Sequence, residues 1–145
     1  MTGKSSYLRQ VSGNFIAMQR AAEQIARFYD AQLAPSGLRS AQFAMLVFIH
    51  RLGEASVHSI AEGLVLDRAI AGKNLRALEE VELVRIAPST HGHRERIVTI
   101  TRKGCAVLKA AFPLWQRAQS RFEEMNGAAN AAAMRAVLGN LVFET

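Results

Sequence analysis

The order of local patterns between Ser56 and Thr101 constrains this chain more than any other feature. A short helical segment, Ser56-Val57-His58-Ser59-Ile60-Ala61-Glu62-Gly63, leads into a tight turn, and a second helix opens at Asp67-Arg68 and runs to about Glu80. Two strand-like runs follow, Leu83-Val84-Arg85-Ile86 and the segment from Glu95 to Thr101, with Thr90-His91-Gly92-His93-Arg94 as a polar tip between them. Helix, turn, helix and hairpin in that order predict a winged helix-turn-helix lobe, a shape suited to reading a DNA groove.

The flanks are helical. Leu8, Val11, Phe15, Met18, Ala22, Ile25 and Tyr29 alternate in steps of three and four, which predicts one helix from about Ser6 to Leu33 with a continuous apolar seam. Pro35-Ser36-Gly37 ends it. A helix from about Ser40 to Leu52 follows, with Phe43, Leu46, Val47 and His50 expected inward and Gly53 as its C-terminal cap. Beyond Arg102-Lys103-Gly104, the positions Leu108, Ala111, Trp115, Ala118, Phe122 and Met125 form a second long seam, with Pro113 expected to kink that helix. Asn126-Gly127 marks a turn before an alanine-rich last helix carrying Met134, Val137, Leu138, Leu141 and Val142. The expected class is mainly α with a small β-hairpin wing: one domain, with a helical dimerisation region at residues 6–33 and 102–145 and a DNA-binding lobe at 38–101. Long terminal seams need a partner surface, and a single reading helix covers only a half-site, so a homodimer is expected.

Composition narrows the partner. Half of the residues are apolar and 21% are charged, as in a globular chain, and no window approaches the ~18 apolar residues of a membrane span. The polar N-terminus lacks a signal-peptide core and the single Cys105 excludes an internal disulfide, so a soluble cytoplasmic protein with no membrane role is expected. The net charge of +6 concentrates on the stretch from Arg68 to Arg76 and on the hairpin from Arg85 to Lys103. Such a surface favours a polyanion, because each cation that meets a phosphate releases condensed counterions; a merely solvated charged face is the competing reading.

On the second helix of the unit, Asp67 is the expected N-cap, which exposes the first turn. Arg68, Gly72, Lys73 and Arg76 lie along one side, with Ile70, Leu75 and Leu78 expected toward the core. Arg68 is the candidate for direct base contact, since arginine can bond guanine with two parallel bonds. Lys73 and Arg76 suit phosphates, while Ala69 and Gly72 permit close approach of the backbone. Arg94 and Arg96 in the hairpin suit the narrow minor groove and its negative potential.

The residues Gly37-Leu38 with Gln42-Phe43-Ala44, then Ile60-Ala61-Glu62, Leu66-Asp67-Arg68, Asn74-Leu75 and Leu78-Glu79 have the order and spacing of a known pattern. It continues through Leu83-Val84-Arg85, Arg94, Ile97-Val98-Thr99-Ile100-Thr101, Gly104 and Pro113-Leu114-Trp115. From about Leu38 to the C-terminus the chain thereby resembles the MarR (multiple antibiotic resistance regulator) family of bacterial transcription factors. The resemblance implies a homodimer joined through its terminal helices, an inverted-repeat operator, and a repressor released by a small, often aromatic effector bound between the dimerisation helices and the DNA lobe. Phe15, Met18 and Phe43 are the candidate effector-pocket residues, because the first two helices flank the pocket in that family.

The sequence departs from the family pattern at four places. Arg39 stands where a capping threonine is usual, so Ser40 is expected to cap one residue later. Val65 replaces a turn glycine, and a β-branched residue is poorly suited to positive φ, so a differently shaped turn is expected. Ala69, Ala71 and Gly72 replace hydroxyl residues, and Gly92-His93-Arg94 keeps the wing arginine without its orienting acid.

Other chemistry is weaker. The His91-x-His93 pair lacks further ligands nearby in sequence, and a metal site needs three or four, so no metal and no cofactor are expected. Cys105, beside Arg102 and Lys103, is expected to be structural, with a redox sensor as the alternative. No nucleophile–base pair, phosphate loop or paired carboxylate stands out, so an enzyme is not expected. The leading function is a dimeric DNA-binding regulator; a winged protein–protein adaptor or antirepressor is the alternative from a different class.

Overall fold

Residues 13–90 and 94–144 are described in the computed structural model. Their elements are α1 (Asn14–Leu33), a 3-10 turn (Ala34–Ser36), α2 (Ser40–Leu52), β1 (Glu54–Ser56), α3 (Val57–Gly63), α4 (Arg68–Glu80), β2 (Val84–Pro88), β3 (Arg96–Ile100), α5 (Arg102–Asn126) and α6 (Ala128–Gly139). The mainly helical class with a small wing is borne out, and a three-stranded antiparallel sheet in the order β1-β3-β2 completes it. The part of the first helix expected before residue 13, and the wing-tip residues His91, Gly92 and His93, lie outside the described residues.

The core sits under the helix-turn-helix. Met45, Leu46 and Ile49 of α2, Ile60 of α3, and Ala71, Leu75 and Leu78 of α4 have no solvent contact, and Val98 of β3 closes the layer. Two expectations about inward faces are corrected. His50 is exposed, because Met45, Leu46 and Ile49 occupy the buried side of α2. Ile70 is 53% exposed. It lies about 100° round the helix from Ala71, and the buried stripe runs through Ala71, Leu75 and Leu78 instead.

Several ends are held by interactions a local reading does not reveal. Ser40 is the first residue of α2 rather than its cap, which corrects that expectation; Arg39 holds the cap position, its N–H donating to Gln42 Oε1 at 3.0 Å. The orphan donors of Ser40 go to Asp30 of α1, whose Oδ1 accepts both the backbone N–H and the hydroxyl at 2.7 Å. A carboxylate at a helix N-terminus also complements the helix dipole, so Asp30 fixes α2 against α1.

The turn between α3 and α4 closes on a Schellman motif: Leu66 N–H donates to Ala61 C=O at 2.8 Å and Val65 N–H to Glu62 C=O at 3.2 Å. The expected change of turn shape does not occur. Val65 adopts φ 53°, the left-handed conformation that glycine would take, and it does so 90% exposed. Glu82 repeats the motif after α4 at φ 62°, with Leu83 N–H on Leu78 C=O and Glu82 N–H on Glu79 C=O, both at 2.9 Å.

α5 starts where the sheet ends. Thr101 caps it by accepting from Gly104 N–H at 2.9 Å, and the same hydroxyl donates to Glu82 C=O at 2.6 Å. Gly104 allows this close approach: a Cβ there would lie 2.1 Å from the Leu83 carbonyl oxygen. The helix continues unbroken through Pro113 and packs along α1, with Ala111 and Ala118 fully buried and the Phe28 and Phe122 rings 6.5 Å apart. Tyr29 donates its hydroxyl to Gln119 Oε1 at 2.7 Å across that contact. Partial burial raises the phenol above its ordinary range, with Glu123 adding to the rise and Arg135 opposing it.

Candidate nucleic-acid interface

The start of α4 is built as the sequence implies. Asp67 has extended backbone and accepts Ala69 N–H at 2.8 Å, so the first turn of α4 begins at Arg68 with its outer face open. Arg68, Ala69, Lys73 and Arg76 are exposed and Gly72 is half-buried. Successive residues turn by about 100°, which places Gly72, Arg76, Ala69 and Lys73 in one sector opposite the buried stripe, with Arg68 at its edge. Among the described residues Lys73, Arg76, Arg94 and Arg96 are in no ion pair; the pairs present are Arg27 with Glu23, His58 with Glu62 and Arg135 with Glu123. Surface cations without internal carboxylates remain available to phosphates.

The hairpin is held in register from Val84↔Ile100 to Pro88↔Arg96, and Ser89 N–H extends the pairing to Glu95 C=O at 2.8 Å. Arg96 is therefore displayed on the paired arm, and Arg94 is exposed two residues before it. β2 is an edge strand, and the outward N–H of Ile86 donates to Glu79 Oε2 at 3.0 Å. Glu79, near the end of α4, thus ties that helix to the wing. Nothing local in the sequence signals this role, which depends on a contact seven residues away.

One further residue escaped the sequence reading. The Arg68 guanidinium meets Nδ1 of His58 on α3, and His58 Nε2 lies 3.4 Å from Glu62 Oε2. The only available signal was the spacing of three polar residues across the turn.

Behind the lobe, a cavity of about 350 Å³ lies between α1, α2 and α5. Phe43, Val47, Phe48, Leu33 and Trp115 supply its apolar wall, Tyr29, Ser40 and Arg51 its polar groups, and Leu64 from the α3–α4 turn closes one side. The Phe43 and Trp115 rings stack with centroids 6.1 Å apart. Of the expected pocket residues Phe43 lines this cavity; Phe15 and Met18 do not, and both stand exposed on α1. Cys105 is half-buried beside a second cavity of about 480 Å³, whose lining includes His50, Arg51 and Lys109. Among the described residues, no three His, Cys, Asp or Glu side chains cluster as a metal site would need, and no helix is long and apolar enough to cross a membrane.

No family model matches the sequence, and no curated protein does. Solved structures match over nearly the whole chain. The transcriptional repressor CouR, solved on a 23-mer DNA duplex, is 27% identical with a TM-score of 0.79, over 96% of this chain and 95% of that one. The transcriptional regulator MosR of M. tuberculosis, solved in complex with DNA, is 27% identical with a TM-score of 0.72, over 89% and 99%. MarR from E. coli, solved with operator DNA, has a TM-score of 0.79 at 19% identity over 88% and 91%, a likeness of fold. The family resemblance read from the sequence is borne out by these MarR-family regulators.

Proposed function

We propose, from the MarR-family winged-helix fold that this chain carries, that it is a non-enzymatic, sequence-specific DNA-binding transcription regulator acting as a homodimer. The observation that carries the reading is the set of exposed cations without carboxylate partners, Lys73 and Arg76 on α4 and Arg94 and Arg96 on the hairpin, beside an open α4 N-terminus. Arg68 reads a base edge, Lys73 and Arg76 hold phosphates, Ala69 and Gly72 let the backbone approach, and Arg94 and Arg96 enter the adjacent minor groove. DNA-bound CouR and MosR support the partner class.

The dimer is supported by the apolar surface that one chain leaves open. Phe15, Met18 and Ile25 on α1 and Met134, Val137 and Leu138 on α6 are all at least 39% exposed, too much for an isolated chain. α1, α5 and α6 form the dimerisation region in this reading, and residues 38–101 form the DNA lobe. A small aromatic effector occupies the Phe43–Trp115 cavity and, by displacing Leu64, shifts the turn that sets α4, so that the repressor leaves its operator.

The test is equilibrium binding to duplexes from the DNA flanking the gene, across a salt series. Arg94→Ala is expected to weaken binding and reduce the slope of log K against log salt by about 0.9. Arg68→Ala is expected to cost about 1–3 kcal/mol on the preferred duplex and little on random DNA. No effect of either substitution would refute these assignments.

A further inference from the structure

We propose that His58 is a positioning residue for Arg68, holding its guanidinium ready for base contact, and that protonation of the His58 ring releases it. The inference rests on the DNA-binding reading of Arg68. His58 is the second residue of α3 and Arg68 the first of α4, so the contact spans the turn between the two helices. A guanidinium has only donors. His58 Nδ1 must therefore accept from Arg68 Nη2, which puts the ring proton on Nε2. Nε2 lies 3.4 Å from Glu62 Oε2, one turn along the same helix. The Arg68 contact selects this neutral tautomer, with the Glu62 carboxylate near the other ring nitrogen.

Arg68 commits one of its five N–H donors to the ring, which leaves others in its fork for a guanine edge. Without the ring, an exposed arginine at a helix start explores its rotamers, and DNA must order it on binding. When His58 takes up a second proton, Nδ1 no longer accepts and two cations oppose each other, while Glu62 keeps the ring. The elements packed against α3 carry other charged or titratable groups: Asp67, Lys73, Arg76, Glu79 and Glu80 of the α4 segment, Glu54 of β1, His50 and Arg51 of α2, and Arg96 of β3. Among the described residues only Arg68 and Glu62 make a hydrogen bond or ion pair with the ring. The Asp67 carboxylate is engaged with Ala69 N–H.

The experiment measures the ratio of affinities for a selected and a random duplex from about pH 8 to about pH 5.5. The wild-type ratio is expected to fall about tenfold as pH drops, the scale of one charge-assisted hydrogen bond. His58→Asn places an amide oxygen near Nδ1 and does not titrate, so it should keep the high ratio at every pH. His58→Gln reaches toward the Nε2 position instead, and His58→Ala has no acceptor; both should show the low ratio at every pH, with thermal melts checking that each variant folds. A wild-type ratio indifferent to pH, or His58→Ala matching the wild type at pH 8, overturns the assignment while DNA binding stands. If the wild type prefers no duplex at all, the functional reading fails and this assignment fails with it.

Discussion

Val65 is held in the left-handed region at φ 53° with 90% of its surface exposed, at the position of a Schellman turn where glycine has no steric cost. A side chain with a Cβ pays about 1–2 kcal/mol to sit there, and β-branching does not lower that figure. Replacing Val65 by Gly removes the strain and loses almost no buried surface, since little of the side chain is covered. Against this, glycine loses more backbone entropy on folding, about 0.5–1 kcal/mol. The balance is a stabilisation of about 0.5–1 kcal/mol, or roughly 2–3 °C in melting temperature for a chain of this size. The assay is urea unfolding at fixed protein concentration, because an associating protein's midpoint depends on concentration. Val65→Ala keeps the Cβ and should fall between wild type and Val65→Gly. A Val65→Gly variant no more stable than Val65→Ala would refute the strain, and with it the view that the turn keeps its glycine shape around a valine.

Two further predictions follow from packing. Gly104→Ala should lower the urea midpoint strongly, by about 1–3 kcal/mol, because its Cβ would collide with the Leu83 carbonyl oxygen at 2.1 Å and undock α5 from the wing; an unchanged midpoint would contradict that contact. Leu138→Asp places a charge on the exposed apolar face of α6, where Leu138 is 56% exposed. Sedimentation should show monomer in place of dimer, and a variant that still sediments as a dimer would remove α6 from the subunit contact.

The features that were legible in the sequence are those specified by residues close together in the chain. Asp67 needs only the N–H of Ala69 to cap α4, so the start of that helix could be read directly. The bounds of α2 and the hairpin arms were likewise set by local breakers, Gly37, Gly53 and the polar tip. β1 was invisible because Glu54-Ala55-Ser56 are a strand only by pairing with Thr99, Val98 and Ile97, more than forty residues away. The Asp30 cap on Ser40 and the Glu79 bond to Ile86 are tertiary in the same sense. Ile70 was misplaced because its hydrophobicity outweighed that of Ala71, whereas α4 packs closely enough to bury the smaller side chain. The base-reading candidate itself was legible at Arg68, but its partner His58 emerged only when the turn brought α3 and α4 together.

The central claim is that two copies of this lobe read one DNA face, and selection of bound duplexes from a random pool by the full chain tests it most directly. The expected result is an inverted repeat whose half-sites lie about 10–10.5 base pairs apart, centre to centre, or a multiple of that spacing. Its enrichment should be lost with Arg68→Ala and weakened with Arg94→Ala. A pool that shows no preferred sequence, or a preferred sequence without two-fold symmetry, would contradict the account.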